Sequence, residues 1–167
     1  MKNTIFGSIL GLFLLTACEY NVPLSTDHNI PIDSTVLGSW KVASIENKDE
    51  DTEIRIHKFS DTEYAIHYLE DGGNLYFRAY AINVGGVSAV QIELIGNGKE
   101  AISSDEDDRY QVASYKLVDG LLHIGVLNSD LVDDELPDSE SLRKAFIEHK
   151  DNPELFNDPG IFRRIKK

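Results

Sequence analysis

Residues 62–95 read TEYAIHYLEDGGNLYFRAYAINVGGVSAVQIELI, and the fold turns on how this stretch is read. Tyr64, Ile66 and Tyr68 occupy alternate positions, so they share one face of an extended strand while Ala65, His67 and Leu69 share the other. After Asp71-Gly72-Gly73 the alternation resumes, with Leu75, Phe77, Ala79 and Ala81 opposing Tyr76, Arg78, Tyr80 and Ile82. Gly85-Gly86 then leads into a third segment, Val87 to Ile95. Short Gly- and Asp-containing loops suit primed hairpin turns, whose central residues need positive φ. Consecutive strands joined this tightly must run antiparallel.

The pattern extends in both directions. It predicts strands at Leu37 to Glu46, Thr52 to Phe59, Thr62 to Glu70, Asn74 to Val84, Val87 to Ile95, Arg109 to Val118, Leu121 to Asn128 and Gly160 to Lys166. The remaining separators are Asn47 to Asp51, Ser60-Asp61, Gly96 to Asp108 and Asp119-Gly120. The expected fold is all-β, an eight-stranded antiparallel meander that removes its exposed edges by closing into a barrel. Neither strand face is purely polar, which suits a curved sheet with long amphipathic side chains outside. One α-helix interrupts the series before the last strand. Asp138 caps it, Glu140 sits in its first turn, and Leu142, Ala145, Phe146 and His149 form one face. Asn152-Pro153 ends it, and Asp158-Pro159-Gly160 delivers the final strand.

Ahead of the strands stands a different kind of segment. Lys2 gives a basic start, Ile5 to Leu15 are apolar or small, and Leu15-Thr16-Ala17-Cys18 follow. This is the three-part pattern of a secretion signal, and its apolar run is too short to remain as a membrane-spanning helix, which needs about 18–20 residues. Leu15 to Cys18 resembles the lipobox of bacterial lipoprotein signal peptides. The resemblance implies cleavage before Cys18, a thioether-linked diacylglycerol on its sulfur and acylation of the new amino group, including palmitate. Residues 1–17 are then a signal peptide, and Cys18 ties the chain to a lipid bilayer. Glu19 after the lipidated cysteine differs from the Asp that typically signals inner-membrane retention, which favours the outer membrane of the cell envelope with the domain facing the periplasm; in a cell with one membrane the domain would face the outside. Residues 18–35, with Pro23 and Pro31 and no apolar period, read as a flexible tether. The seventeen residues from Glu19 to Thr35, at ~3.3–3.6 Å each, would let the barrel domain of residues 36–167 stand roughly 55–60 Å from the lipid.

Gly38-Ser39-Trp40 on the first strand resembles the Gly-x-Trp signature of the lipocalin and wider calycin group. The resemblance implies a tryptophan sealing the closed end of the barrel, with an arginine from a late strand over its ring. Arg163 or Arg164 is placed for that role. The chain departs from the group in its short first loop, Asn47 to Asp51, and in a helix that precedes the eighth strand instead of following it. No ligand residues carry over.

Composition narrows the chemistry. The 167 residues fit one domain, and 29 acidic against 16 basic residues, a net charge of -13, argue against an electrostatic grip on nucleic acid or an anionic membrane. The single cysteine excludes an intrachain disulfide and a Cys-rich zinc site. Gly86-Val87-Ser88-Ala89-Val90 lacks the second glycine of a nucleophile elbow, and no helix follows Gly96-Asn97-Gly98 to form a phosphate cradle. Histidines at 28, 57, 67, 123 and 149 have no ligand spacing, and Asp105 to Asp108 and Asp130 to Asp138 read as solvated charge. No metal, no cofactor and no catalytic residues are therefore expected, and the protein is read as non-enzymatic. Two functions stay open. In the first, the barrel binds a small apolar ligand lined by Tyr64, Tyr68, Tyr76, Phe77, Tyr80 and Tyr115. In the second, a filled barrel serves as an envelope module for protein–protein interaction. An enzymatic site would call for an inward trio such as His67, Arg78 and Tyr80.

Overall fold

The computed structural model describes residues 19–43, 52–70, 73–103 and 109–165. Eight strands, β1 (Gly38–Val42), β2 (Glu53–Lys58), β3 (Glu63–Glu70), β4 (Gly73–Val84), β5 (Val87–Gly96), β6 (Tyr110–Val118), β7 (Leu121–Leu127) and β8 (Phe156–Arg164), form a closed barrel in chain order. Every neighbouring pair is antiparallel, and β8 closes on β1 with Trp40 opposite Arg164. The expected meander is thus the observed one, an arrangement compatible with a lipocalin-like barrel. The Gly85-Gly86 and Asp119-Gly120 turns have positive φ at both residues, as primed turns require. The signal segment with Cys18, the Asn47 to Asp51 loop, the Asp71-Gly72 turn, the Asp105 to Asp108 run and Lys166-Lys167 lie outside the described residues, as do Ser44 to Glu46 at the predicted end of β1.

The last strand starts earlier than the sequence predicts, at Phe156 instead of Gly160. Pro159 suggested a turn because it has no N–H to give to a ladder. The register shifts between Ile124 and Val126, whose partners are Gly160 and Asn157, so Asp158 and Pro159 together face the single residue Gly125. Such a bulge accommodates a proline inside a strand. Gly125 is required there, because a Cβ on it would lie 2.6 Å from the Asn157 carbonyl oxygen.

Alternation along the strands builds two cores. The inward set includes Trp40, Ile54, Tyr68, Phe77, Ile92, Leu122 and Phe162, all buried in the barrel. The outward set on β4, β5 and β6, Tyr80, Ile82, Val84, Ala89 and Val112, is buried too, because further elements cover it. One is helix α1 (Ser139–Glu148), capped by Asp138, whose carboxylate accepts the Ser141 N–H at 2.7 Å. Its Leu142 and Phe146 are fully buried against the wall, and His149 is the C-cap at the end of the stripe.

The other cover is the segment expected to be a free tether, and here the structure corrects the sequence reading. Tyr20 is fully buried and pairs with Tyr110, its N–H donating to the Tyr110 carbonyl at 2.7 Å and its carbonyl accepting at 3.1 Å. Its hydroxyl donates to the Val132 carbonyl at 2.8 Å. The Leu24 N–H donates to the Gln91 side chain at 2.7 Å, and the Tyr80 hydroxyl donates to the Ser25 carbonyl at 2.8 Å. Farther on, the Ile32 N–H reaches the Asp61 carbonyl at 3.0 Å. Residues 20–36 are therefore a strap. It is fixed because Tyr20 and Leu24 bury apolar surface on an otherwise bare outer wall, offsetting the entropy of ordering.

Candidate functional site

The antiparallel order gives the barrel two distinct ends. The turns β2–β3, β4–β5 and β6–β7 share one end with Gly38 and Arg164, and the strap crosses it. The connections β5–β6 and β7–β8, and Tyr20, lie at the other.

At the strap end a 3-10 turn, Ser34–Val36, turns the chain into β1. Trp40, 1% exposed, donates its Nε1–H to the Val36 carbonyl at 2.8 Å. The Arg164 guanidinium lies 4.2 Å from the indole centroid and donates to the carbonyls of Leu37 at 2.6 Å and Thr35 at 2.5 Å. Of the two arginines considered from sequence, Arg164 takes this position, and Arg163, opposite Lys41 and Leu121, is exposed. Gly38 allows the packing: φ is +128° there, and a Cβ would come within 2.7 Å of an Arg164 nitrogen. A cation–π contact with two carbonyl bonds thus clamps strap to barrel.

Beside this clamp lie two adjoining, half-open pockets. An apolar chamber of about 60 Å³ is lined by Val36, Ile56, Ile66, Ile92, Leu122 and Ile124, among others. Tyr64, Val90 and Tyr115 line it too, and the same three residues line a recess of about 330 Å³ under Ile30, Pro31 and Asp33 of the strap. Asp33 sits where chamber and recess meet. Its N–H donates to the Tyr64 hydroxyl at 2.6 Å, and the Tyr115 hydroxyl donates to its Oδ2 at 3.1 Å. The Thr35 hydroxyl donates to Oδ1 at 2.6 Å, and this bond foremost holds the Asp33 carboxyl below the usual carboxylate range, against the opposing pull of burial. Burial, reinforced by Tyr64 and Asp33, pushes the Tyr115 phenol above its ordinary range. The junction therefore presents a neutral phenol and an ionised carboxylate at neutral pH.

Of the residues expected to line a pocket, Tyr64, Tyr68 and Phe77 face the interior, and Tyr115 stands at the rim, 36% exposed. Tyr64 and Tyr115 meet at the junction, whereas Tyr68 and Phe77 fill the barrel beyond it. Tyr76 and Tyr80 are outside, because each alternates with inward Leu75, Phe77 and Ala79 on β4. Tyr76 stacks on His67 with ring centroids 4.5 Å apart, and Tyr80 lies under the strap, where burial pushes its phenol up to about 12. The trio His67, Arg78 and Tyr80 is not inward either. Arg78 is paired across strands with Glu63 and, at 3.6 Å, with Glu93, which also meets Arg109 at 3.0 Å. This row of alternating charge spans β3 to the start of β6. Within it burial works to raise the Glu63 pKa, but the Arg78 hydrogen bond and charge hold the carboxyl below its usual range. Among the described residues no cluster of three or more His, Cys, Asp or Glu side chains is arranged to hold a metal ion.

Sequence reasoning missed Asp33, Ile30 and Pro31, since it placed them in a free tether. The available signal was the outward apolar row Tyr80, Ile82, Val84 and Ala89, which requires a cover. No protein family, no curated protein and no solved structure matches the chain.

Proposed function

We propose that this protein is a lipid-anchored barrel of the cell envelope that holds a small amphipathic molecule at its strap-covered end. The lipobox-like Leu15-Thr16-Ala17-Cys18 supports the anchor, with the outer membrane and a periplasmic domain as its setting. The observation that carries the binding reading is the apolar chamber meeting the strap recess at Tyr64, Val90 and Tyr115. A chamber of about 60 Å³ is smaller than the ~150 Å³ that admits a benzene-sized guest, so it takes only the tip of an apolar group. The recess, about 330 Å³, lies at the lower bound of small-molecule sites, roughly 300–1,000 Å³. Asp33 and the Tyr115 hydroxyl in that recess favour a head that donates hydrogen bonds, a hydroxyl or an ammonium, over a carboxylate. The reading is non-catalytic.

Calorimetric titration with alkyl alcohols, alkylamines and fatty acids of matched short chain length tests this. Alcohols or amines are expected to bind and the acids to bind more weakly. Ala113→Leu, which places a larger side chain at the chamber wall, should abolish binding. Uniform absence of binding would remove the ligand reading. The filled interior, packed by Trp40, Tyr68, Phe77 and Phe162, supports the second function in that event: a solid envelope module that presents its surface to a protein partner.

A further inference from the structure

We infer that the barrel stands on the membrane by the end at which Tyr20 is fastened, so that its strap-covered recess faces away from the bilayer. The inference rests on acylation of Cys18 and concerns what the ordered strap does to such an anchor. Only Glu19 separates Cys18 from Tyr20. Tyr20 is itself immobilised by both backbone bonds to Tyr110 and by its hydroxyl bond to Val132. Two residues of chain span at most about 7 Å, so the acyl-bearing sulfur is tied to the barrel rim and cannot stand off from it.

The rim in question is fixed by topology. Tyr110 begins β6, and Val132 follows β7, so both belong to the end opposite the β2–β3, β4–β5 and β6–β7 turns. β5 runs ten residues between the two ends. At ~3.3 Å per residue and the usual 35–45° barrel tilt, the ends are roughly 25 Å apart. The strap descends this length along the outer wall, from Tyr20 past Leu24 on Gln91, and then crosses the far end at Asp33. Anchor and recess therefore occupy opposite ends because one continuous segment joins them.

Charge sets the character of the contact. The membrane-facing connection before α1 carries Asp130, Asp133, Asp134 and Glu135. These repel anionic headgroups, so the rim makes no electrostatic grip on the bilayer and is held there by the acyl chains alone. A ligand then enters from the aqueous phase and not from the bilayer that carries the anchor.

The test uses the full-length lipidated protein in vesicles of zwitterionic lipid with a trace of headgroup-labelled acceptor. Cys18 is the only native cysteine, so a donor dye can be placed uniquely at Lys99→Cys near the Tyr20 end or at Phe59→Cys in the β2–β3 turn. Phe59 is 69% exposed and Lys99 is exposed, so both accept a label without disturbing a core. Energy transfer from position 99 is expected to exceed that from position 59 by about threefold or more, for ends separated by roughly 25 Å. Equal or reversed transfer, with the acyl chains verified on Cys18 by mass spectrometry, would overturn the orientation and leave the anchor standing. A Cys18 without acyl chains would remove both.

Discussion

Replacing Trp40 with alanine is expected to lower the unfolding free energy by about 3–5 kcal/mol, the cost of deleting a large buried aromatic side chain. The residue is 1% exposed, and three separate interactions converge on it: interior packing, the Nε1–H bond to the Val36 carbonyl and the Arg164 ring contact. Its loss would leave a guanidinium without its aromatic support and a carbonyl without a donor. Trp40→Phe keeps part of the packing and the ring face but not the N–H, so its cost should be smaller. Denaturant unfolding of both variants checks the order. Equal midpoints for Trp40→Ala and the wild type would mean that the barrel end is not sealed this way.

Tyr20→Ala is expected to cost about 3 kcal/mol by the same reasoning, because Tyr20 is fully buried between the start of β6 and the segment after β7. Tyr20→Phe removes only the hydroxyl bond to Val132 and should cost about 1 kcal/mol. The pair separates packing from hydrogen bonding in denaturant titrations. A free tether predicts no effect from either substitution, so an unchanged midpoint for Tyr20→Ala would contradict the strap. The effect also bears on function, since the strap carries the anchor at one end and roofs the recess at the other.

The barrel was legible because its turns have strict chemistry. Gly85-Gly86 and Asp119-Gly120 adopt the positive φ that their sequence announces, and Asp138 caps the helix as its position suggests. Trp40 and a late-strand arginine were legible through the Gly-x-Trp resemblance, although choosing Arg164 over Arg163 needed the register. The strap was not legible. Its bonds run mostly through backbone groups, to Tyr110, Gln91 and Asp61, and such bonds leave no periodic trace. Pro23 and Pro31 also prevent an alternating pattern, so a fixed segment imitates a linker. The start of β8 was hidden for a related reason, because the bulge opposite Gly125 admits Pro159 into a strand. Tyr76 and Tyr80 were grouped with pocket residues as aromatics, but strand alternation puts them outside. Aromatic character alone does not distinguish an interior from an outer wall that is itself covered.

The recess and the orientation of the barrel both depend on residues 20–36 being part of the folded unit. Native-state hydrogen exchange at the Tyr20, Leu24, Ile32 and Asp33 amides tests this most directly, since each N–H is bonded to the barrel or its turns. Protection well above that of an unstructured peptide is expected at all four, approaching that of β6 at Tyr20. Exchange at the unprotected rate across these amides would contradict the account, restoring a free tether and leaving the strap end of the barrel uncovered.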